Sequence, residues 1–217
     1  MQKAKIEKIL NRYEIAVIRK LSTPIKIQDY LDKIPFNFEL NGETYYSPRK
    51  VLRENLSHCF EGALFAALCL QYHGIKNYLM DLKVLYSAKS DSDHTLCLYK
   101  TGKFLGAISK TNHSVLRWRD PIFISPRELA MSYFHEYFLD NGKKTLSSYS
   151  LPFDVWKKFG YQWIFSNEDL DEIALSIDKS RHLDFVPKTM LKLIRNAGKT
   201  EIKGAAVEEW NKNGQMI

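Results

Sequence analysis

No stretch of this 217-residue chain approaches the roughly 20 apolar residues that a membrane-spanning helix needs. The N-terminus, MQKAKIEKILNRYEIAVIRKL, lacks the continuous apolar run and small-residue cleavage site of a secretory signal. The expectation is a cytoplasmic protein with no membrane association. Cysteines are few: Cys59, Cys69 and Cys97 are too few for a disulfide framework, and their spacing matches no zinc module. They suit a reducing compartment, and no motif calls for a metal or another cofactor. Glycine (10) and proline (7) are sparse and without period, which excludes a collagen-like or low-complexity chain. Hydrophobic residues at 45% and charged residues at 26% exclude disorder as the main state. Acidic residues are outnumbered 25 to 32, leaving a net charge of +7, which invites a nucleic-acid reading. The basic residues are interleaved with acids along the whole chain, however, and this weighs against a nucleic-acid partner. Nothing in the sequence fixes an oligomeric state.

Apolar positions Ile6, Ile9, Leu10, Tyr13, Ala16, Val17 and Leu21 recur at three- and four-residue steps and suggest one amphipathic helix. Thr23-Pro24 and Ser47-Pro48 each read as a cap followed by proline in a first turn. Between them, FNFEL-NG-ETYY suggests a hairpin turning at Asn41-Gly42. The segment SHCFEGALFAALCLQYHG carries only Glu61 as a charge between Cys59 and Leu70, so it should be a central helix buried on nearly all sides. Strands follow at YLMDLKVLY and, beyond a polar loop SAKSDSD, at HTLCLYK and KFLGAISK, with Thr101-Gly102 between the last two. Ser125 and Glu128 form a capping box for the next helix. The remainder reads as mostly helical. The fold class is therefore α+β, with residues 1–144 as a core and 145–217 as a helical C-terminal extension packed on it.

Cys59 falls at the start of the central helix, taking Ser57 as the cap. Free backbone N–H groups and the positive end of the helix dipole favour a thiolate there. A free cysteine at such a position is also a common buried packing residue. Glu61, two residues on, should point away from the thiol. His94 opens a strand and shares a face with Leu96 and Leu98, which should turn it toward the central helix as a general base. With a two-residue turn at Thr101-Gly102, Leu98 faces Leu105, Leu96 faces Ala107 and His94 faces Ser109. The group that orients the imidazole should come from near there. Ser109 is one candidate; Asn112 is preferred, because a side-chain amide can hold a histidine as a carboxylate does. Asp81, Asp93 and Asp120 are weaker candidates. Asn55 could donate to an oxyanion or cap a helix. Lys110, His113, Arg117 and Arg119 could bind an acidic group or form a solvated basic edge.

Cys59 at a helix start, His94 at a strand start 35 positions later and a third position on the next strand resemble the transglutaminase-like superfamily of papain-type cysteine enzymes. More narrowly, HCFEGALFAALCLQYHG, the Asp93-His94 pair and GAISKTNHSVLRWRDPIF resemble an uncharacterised bacterial branch of it, over about residues 22–140. The resemblance implies a papain/transglutaminase-like core: a buried helix against an antiparallel sheet. It also implies acyl transfer or amide hydrolysis on a peptide, protein or small amide substrate. Cys59 carries over as nucleophile and His94 as base. The family's usual Asp is replaced by Ser109, which directs attention to Asn112 and leaves a catalytically silent binding module as the alternative. Cys-Phe-Glu also resembles the nucleophile motif of arylamine N-acetyltransferases, without the glycines that precede it there.

Overall fold

Polar caps divide the N-terminal third into short helices. The periodic segment expected to be one helix is two, α1 (Gln2–Glu7) and α2 (Arg12–Lys20). They part at Asn11, whose side chain accepts from the Glu14 N–H at 2.9 Å while its own N–H donates to the Glu14 carboxylate at 2.7 Å. This reciprocal capping box starts a new helix where apolar periodicity alone would have run on. Thr23 caps α3 (Pro24–Lys33) and Ser47 caps α4 (Pro48–Glu54), both with proline in the first turn. The central helix is α5 (Cys59–Tyr72). The computed structural model describes residues 2–85 and 92–216; of the polar loop expected at 87–93, positions 87–91 lie outside the described residues.

The strands and helices that follow are β1 (Asn77–Val84), β2 (His94–Thr101), β3 (Phe104–Ile108), β4 (Arg119–Phe123), α6 (Pro126–Phe134), β5 (Leu146–Ser150), α7 (Val155–Phe159), α8 (Asp171–Asp178), β6 (His182–Asp184) and α9 (Lys199–Ala205). The six strands form one antiparallel sheet in the order β4-β3-β2-β1-β5-β6. Residues 145–217 are thus not a helical extension alone. β5 completes the open side of β1, and β6 follows β5. LSSYS is short and polar and carries no helical stripe; pairing with β1 decides its state. No helix among the described residues is long and apolar enough to cross a membrane.

The sheet separates two apolar layers. Leu79, Cys97, Tyr99 and Ile108 pack with α5 and the N-terminal helices. Met80, Leu82, Leu96, Leu98 and Ala107 pack with α6 on the other side. The expectation that Leu96 and Leu98 face the central helix is therefore reversed: Cys97 and Tyr99 do. The hairpin register also differs. Leu98 pairs with Ala107 and Thr101 with Phe104, so the connecting pair is Gly102-Lys103. Gly102 takes a φ of 60° there, which only glycine adopts without strain. The expected hairpin at 36–46 forms no ladder. A turn closes from the Gly42 N–H to the Glu39 carbonyl at 3.0 Å, but Asn37, Thr44 and Tyr46 all direct donors to Glu61, and Asn37 Nδ2 also donates to Thr44 Oγ1 at 2.8 Å.

One close approach sets the position of the site. Gly62 in α5 faces Lys110, and a Cβ at Gly62 would lie 2.4 Å from the Lys110 Cβ. Helix and strand end touch there because glycine leaves the space. Gly62→Ala is expected to destabilise the fold by about 1–3 kcal/mol through overpacking. The measurement is the midpoint of urea unfolding at unchanged slope; an unchanged midpoint would show that the 109–110 segment yields freely.

Candidate active site

Cys59 is the first helical residue of α5, with His58 rather than Ser57 as the cap. Ser57 is instead bound into a short parallel bridge, accepting from the Asn37 N–H at 3.0 Å. The His58 ring does the work that a serine hydroxyl would do: its Nδ1 accepts from the Phe60 N–H at 3.3 Å. Glu61 completes the capping box, accepting from the His58 N–H at 2.9 Å. As expected, Glu61 does not approach the thiol. Its carboxylate is wholly buried and accepts from Thr44 Oγ1, the Tyr46 N–H and Asn37 Nδ2.

Two imidazoles reach Cys59. His58 Nδ1 stands 3.9 Å from Sγ. His94, the first residue of β2, lines the same cleft as Cys59 and also lowers its thiol. Burial pushes the Cys59 thiol up, but the hydrogen bonds from His58 and His94, together with their charges, outweigh it and bring it down to about 5. The other two cysteines show burial without such help. Cys69 and Cys97 are fully buried, and both thiols are pushed well above the ordinary value.

His94 Nε2 lies 2.7 Å from Ser109 Oγ, which leaves Nδ1 as the ring nitrogen for the thiol. Ser109 is itself fixed: its N–H donates to Gln28 Oε1 at 3.0 Å, and Gln28 Nε2 donates to its carbonyl at 2.9 Å. Gln28 Nε2 also donates to Asp32 Oδ1 at 2.8 Å, one turn further along α3. The expectation that Asn112 orients His94 is not met. The Asn112 amide is committed to the C-terminal segment, donating to the Trp210 carbonyl at 3.0 Å and accepting the Trp210 N–H at 2.7 Å. A side chain that engages both the N–H and the C=O of Trp210 is committed to that backbone and not to the imidazole. The carboxylates fall elsewhere too. Asp93 accepts from the Val84 N–H, Asp81 pairs with His182 at 3.1 Å, and Asp120 accepts from Trp118 Nε1. Asn55 is the left-handed C-cap of α4, with φ of 52°, and it is exposed.

The basic cluster is not an open anion site. Lys110 is buried and donates to the carbonyls of Leu31 and Ile34 at the end of α3, where a cation is favoured. Burial lowers its amine to about 8. Arg117 pairs with Glu209, Arg119 with Glu136, and His113 faces Glu208 at 3.8 Å.

Cys59 lies where two clefts meet. One, about 470 Å³, is bounded by Phe36, Phe38, His94 and Leu116 and, from the C-terminal segment, by Ile202 and Glu208. The other, about 1050 Å³, is bounded by Glu39, Tyr45, His58, Asp93, Asp171 and Leu175. Among the described residues, no group of three His, Cys, Asp or Glu side chains is placed to hold a metal ion. Chemically, the arrangement offers a thiolate, two imidazoles and space on both sides of the sulfur. The sequence contained a signal for His58, which precedes Glu61 by the three residues of a capping box. Gln28, 81 positions from Ser109, had none.

Iodoacetamide at pH 6–7 is expected to label Cys59 at least tenfold faster than Cys69 or Cys97, because only a thiolate reacts. A thiol lowered to about 5 should keep its rate down to that pH and lose it below, as the sulfur is protonated. Peptide mapping over a pH series checks both statements. Equal labelling of the three, or a rate that climbs only near pH 8–9, would mean that Cys59 is an ordinary buried thiol.

The chain matches no protein-family model, and no curated protein matches it.

Proposed function

We propose that this protein is a cysteine-dependent acyl-transfer or amide-hydrolysing enzyme of the transglutaminase-like kind, with α5 and the sheet as its papain-like core. The observation that carries the reading is the Cys59 thiol at the first position of a buried helix, lowered by two imidazoles and open to two clefts. The Cys59 thiolate adds to the carbonyl carbon of an amide. The oxyanion that forms lies beside the start of α5, where the Cys59 N–H has no intrahelical partner and can donate to it. Collapse breaks the C–N bond, an imidazolium gives its proton to the leaving amine, and a thioester remains on Sγ. Water or a second amine then adds to the thioester. His94 takes the proton of that nucleophile, and the thiolate leaves. Ser109 acts on His94 as a positioning residue, holding Nε2 so that Nδ1 faces the sulfur. The substrate is a peptide, a protein side-chain amide or a small amide.

A second reading has a specific observation in its favour. The group on His94 is a neutral hydroxyl, where a triad normally supplies an amide or a carboxylate. That weakens the stabilisation of an imidazolium at His94 and suits a silent binding module on the same fold.

Turnover of an activated acyl substrate, such as a glutamine anilide, separates the two. Cys59→Ala is expected to abolish release of the anilide, and His94→Ala to reduce it by about 100-fold or more. Ser109→Ala should reduce it about tenfold, with Asn112→Ala costing less in turnover than in stability, since its amide secures Trp210. Ser109→Asp is expected to retain or raise turnover. Wild-type protein no faster than Cys59→Ala would support the binding module.

A further inference from the structure

We propose that His58 is a second catalytic imidazole: in the resting site the proton given up by Cys59 Sγ resides on His58 Nδ1 rather than on His94. This rests on Cys59 being the nucleophile.

The geometry of the ring fixes its proton. His58 Nε2 lies 2.8 Å from the Thr44 carbonyl, which can only accept, so Nε2 carries hydrogen. In the neutral ring Nδ1 then bears the lone pair, and it is turned to the Phe60 N–H and to Sγ. Transfer of the thiol proton from Sγ to Nδ1 breaks one S–H bond and makes one N–H bond, and it ends the hydrogen bond that Nδ1 accepts from the Phe60 N–H. It leaves a thiolate beside an imidazolium with no net change in charge. The positive ring is met on its far side by two carboxylates, Glu61 at 3.5 Å and Glu39 at 3.6 Å from Nε2. His94 has no such support; its far nitrogen meets only the Ser109 hydroxyl. The carboxylate that a cysteine triad needs is thus present, but on the other imidazole. Burial works against a charge on His58, but the thiol hydrogen bond and the charges of Cys59 and Glu61 raise it above the ordinary imidazole range. The remaining charged groups on the same cleft are Glu43 from the turn, Asp93 before β2, Asp81 and Lys83 on β1, and Asp171, Glu172 and Asp178 on α8. Lys83 is paired with Asp178, so the surroundings favour a cation at His58. His94 is then left with its Nδ1 lone pair for the nucleophile that resolves the acyl-enzyme.

The test is the pH dependence of Cys59 alkylation in the full chain, followed by mass spectrometry, with folding checked by circular dichroism. His58→Asn keeps a good helix cap and removes the titrating ring. It is expected to move the midpoint of the alkylation profile up by at least one pH unit, a tenfold loss of thiolate below the new midpoint. His94→Gln should move it by less. Glu39→Gln keeps an oxygen for the Thr44 N–H and removes one charge; it should shift the midpoint up by a smaller step. If His58→Asn does not fold, Glu39→Gln decides. An unmoved midpoint in Glu39→Gln, or a larger shift in His94→Gln than in His58→Asn, would overturn the proposal. A wild-type midpoint near that of a free thiol would instead overturn the nucleophile reading beneath it.

Discussion

One carboxylate organises the working end of this molecule. Glu61 is buried without exposed surface, and its two oxygens accept from the N–H groups of His58 and Tyr46, from Thr44 Oγ1 and from Asn37 Nδ2. Hydrogen bonds to a charged group contribute about 1.5–3 kcal/mol each, and a carboxylate buried without them would cost several kcal/mol. The start of α5 and the turn at residues 37–46 are therefore tied into one unit. That unit carries the Thr44 carbonyl and Glu39 to one edge of the His58 ring and turns the opposite edge to Cys59. Without Glu61, the first helical turn would lose its cap, and His58 would lose both its position and its nearest countercharge.

The other side of the thiol is assembled from more distant parts of the chain. Gln28 on α3 holds both backbone groups of Ser109, and the Ser109 hydroxyl holds His94. Lys110, next in sequence, anchors the same strand end by capping the carbonyls at the end of α3, and Gly62 lets that strand end sit against α5. The C-terminal segment then closes over it. Asn112 clamps Trp210, the Glu209 N–H donates to the Asn112 carbonyl, and Arg117 pairs with Glu209. The basic residues around 110–119 thus serve the docking of chain segments, and the net positive charge of the molecule does not mark its clefts.

Local chemistry made part of this legible in the sequence. The near-absence of charge from 59 to 70 identified α5, and the helix-start cysteine and strand-start histidine are brought together. Caps followed by proline marked α3 and α4. What escaped depended on partners remote in sequence. Apolar spacing continues across Asn11 and suggests a single helix, while a reciprocal cap outweighs that spacing. The segment around Asn41-Gly42 has hairpin chemistry, but its donors find a buried carboxylate first. The β2–β3 register differs by two positions because glycine at 102 lets the turn sit one residue later, yet Ser109 still meets His94. Asn112 has the right chemistry for orienting an imidazole, yet its amide is taken by the backbone of Trp210, 98 positions away. Histidine is a rare helix cap, so His58 is hard to recognise as one, although its spacing to Glu61 is that of a capping box.

The central claim is that Cys59 forms a covalent acyl-enzyme, and the most direct measurement is the mass of the intact protein after brief mixing with p-nitrophenyl acetate at neutral pH. The expected result is a burst of nitrophenolate approaching one equivalent per chain, with a single acetyl group that maps to Cys59 and is removed by hydroxylamine. Acetyl groups scattered over lysines, with Cys59 unmodified and no burst, would contradict the account.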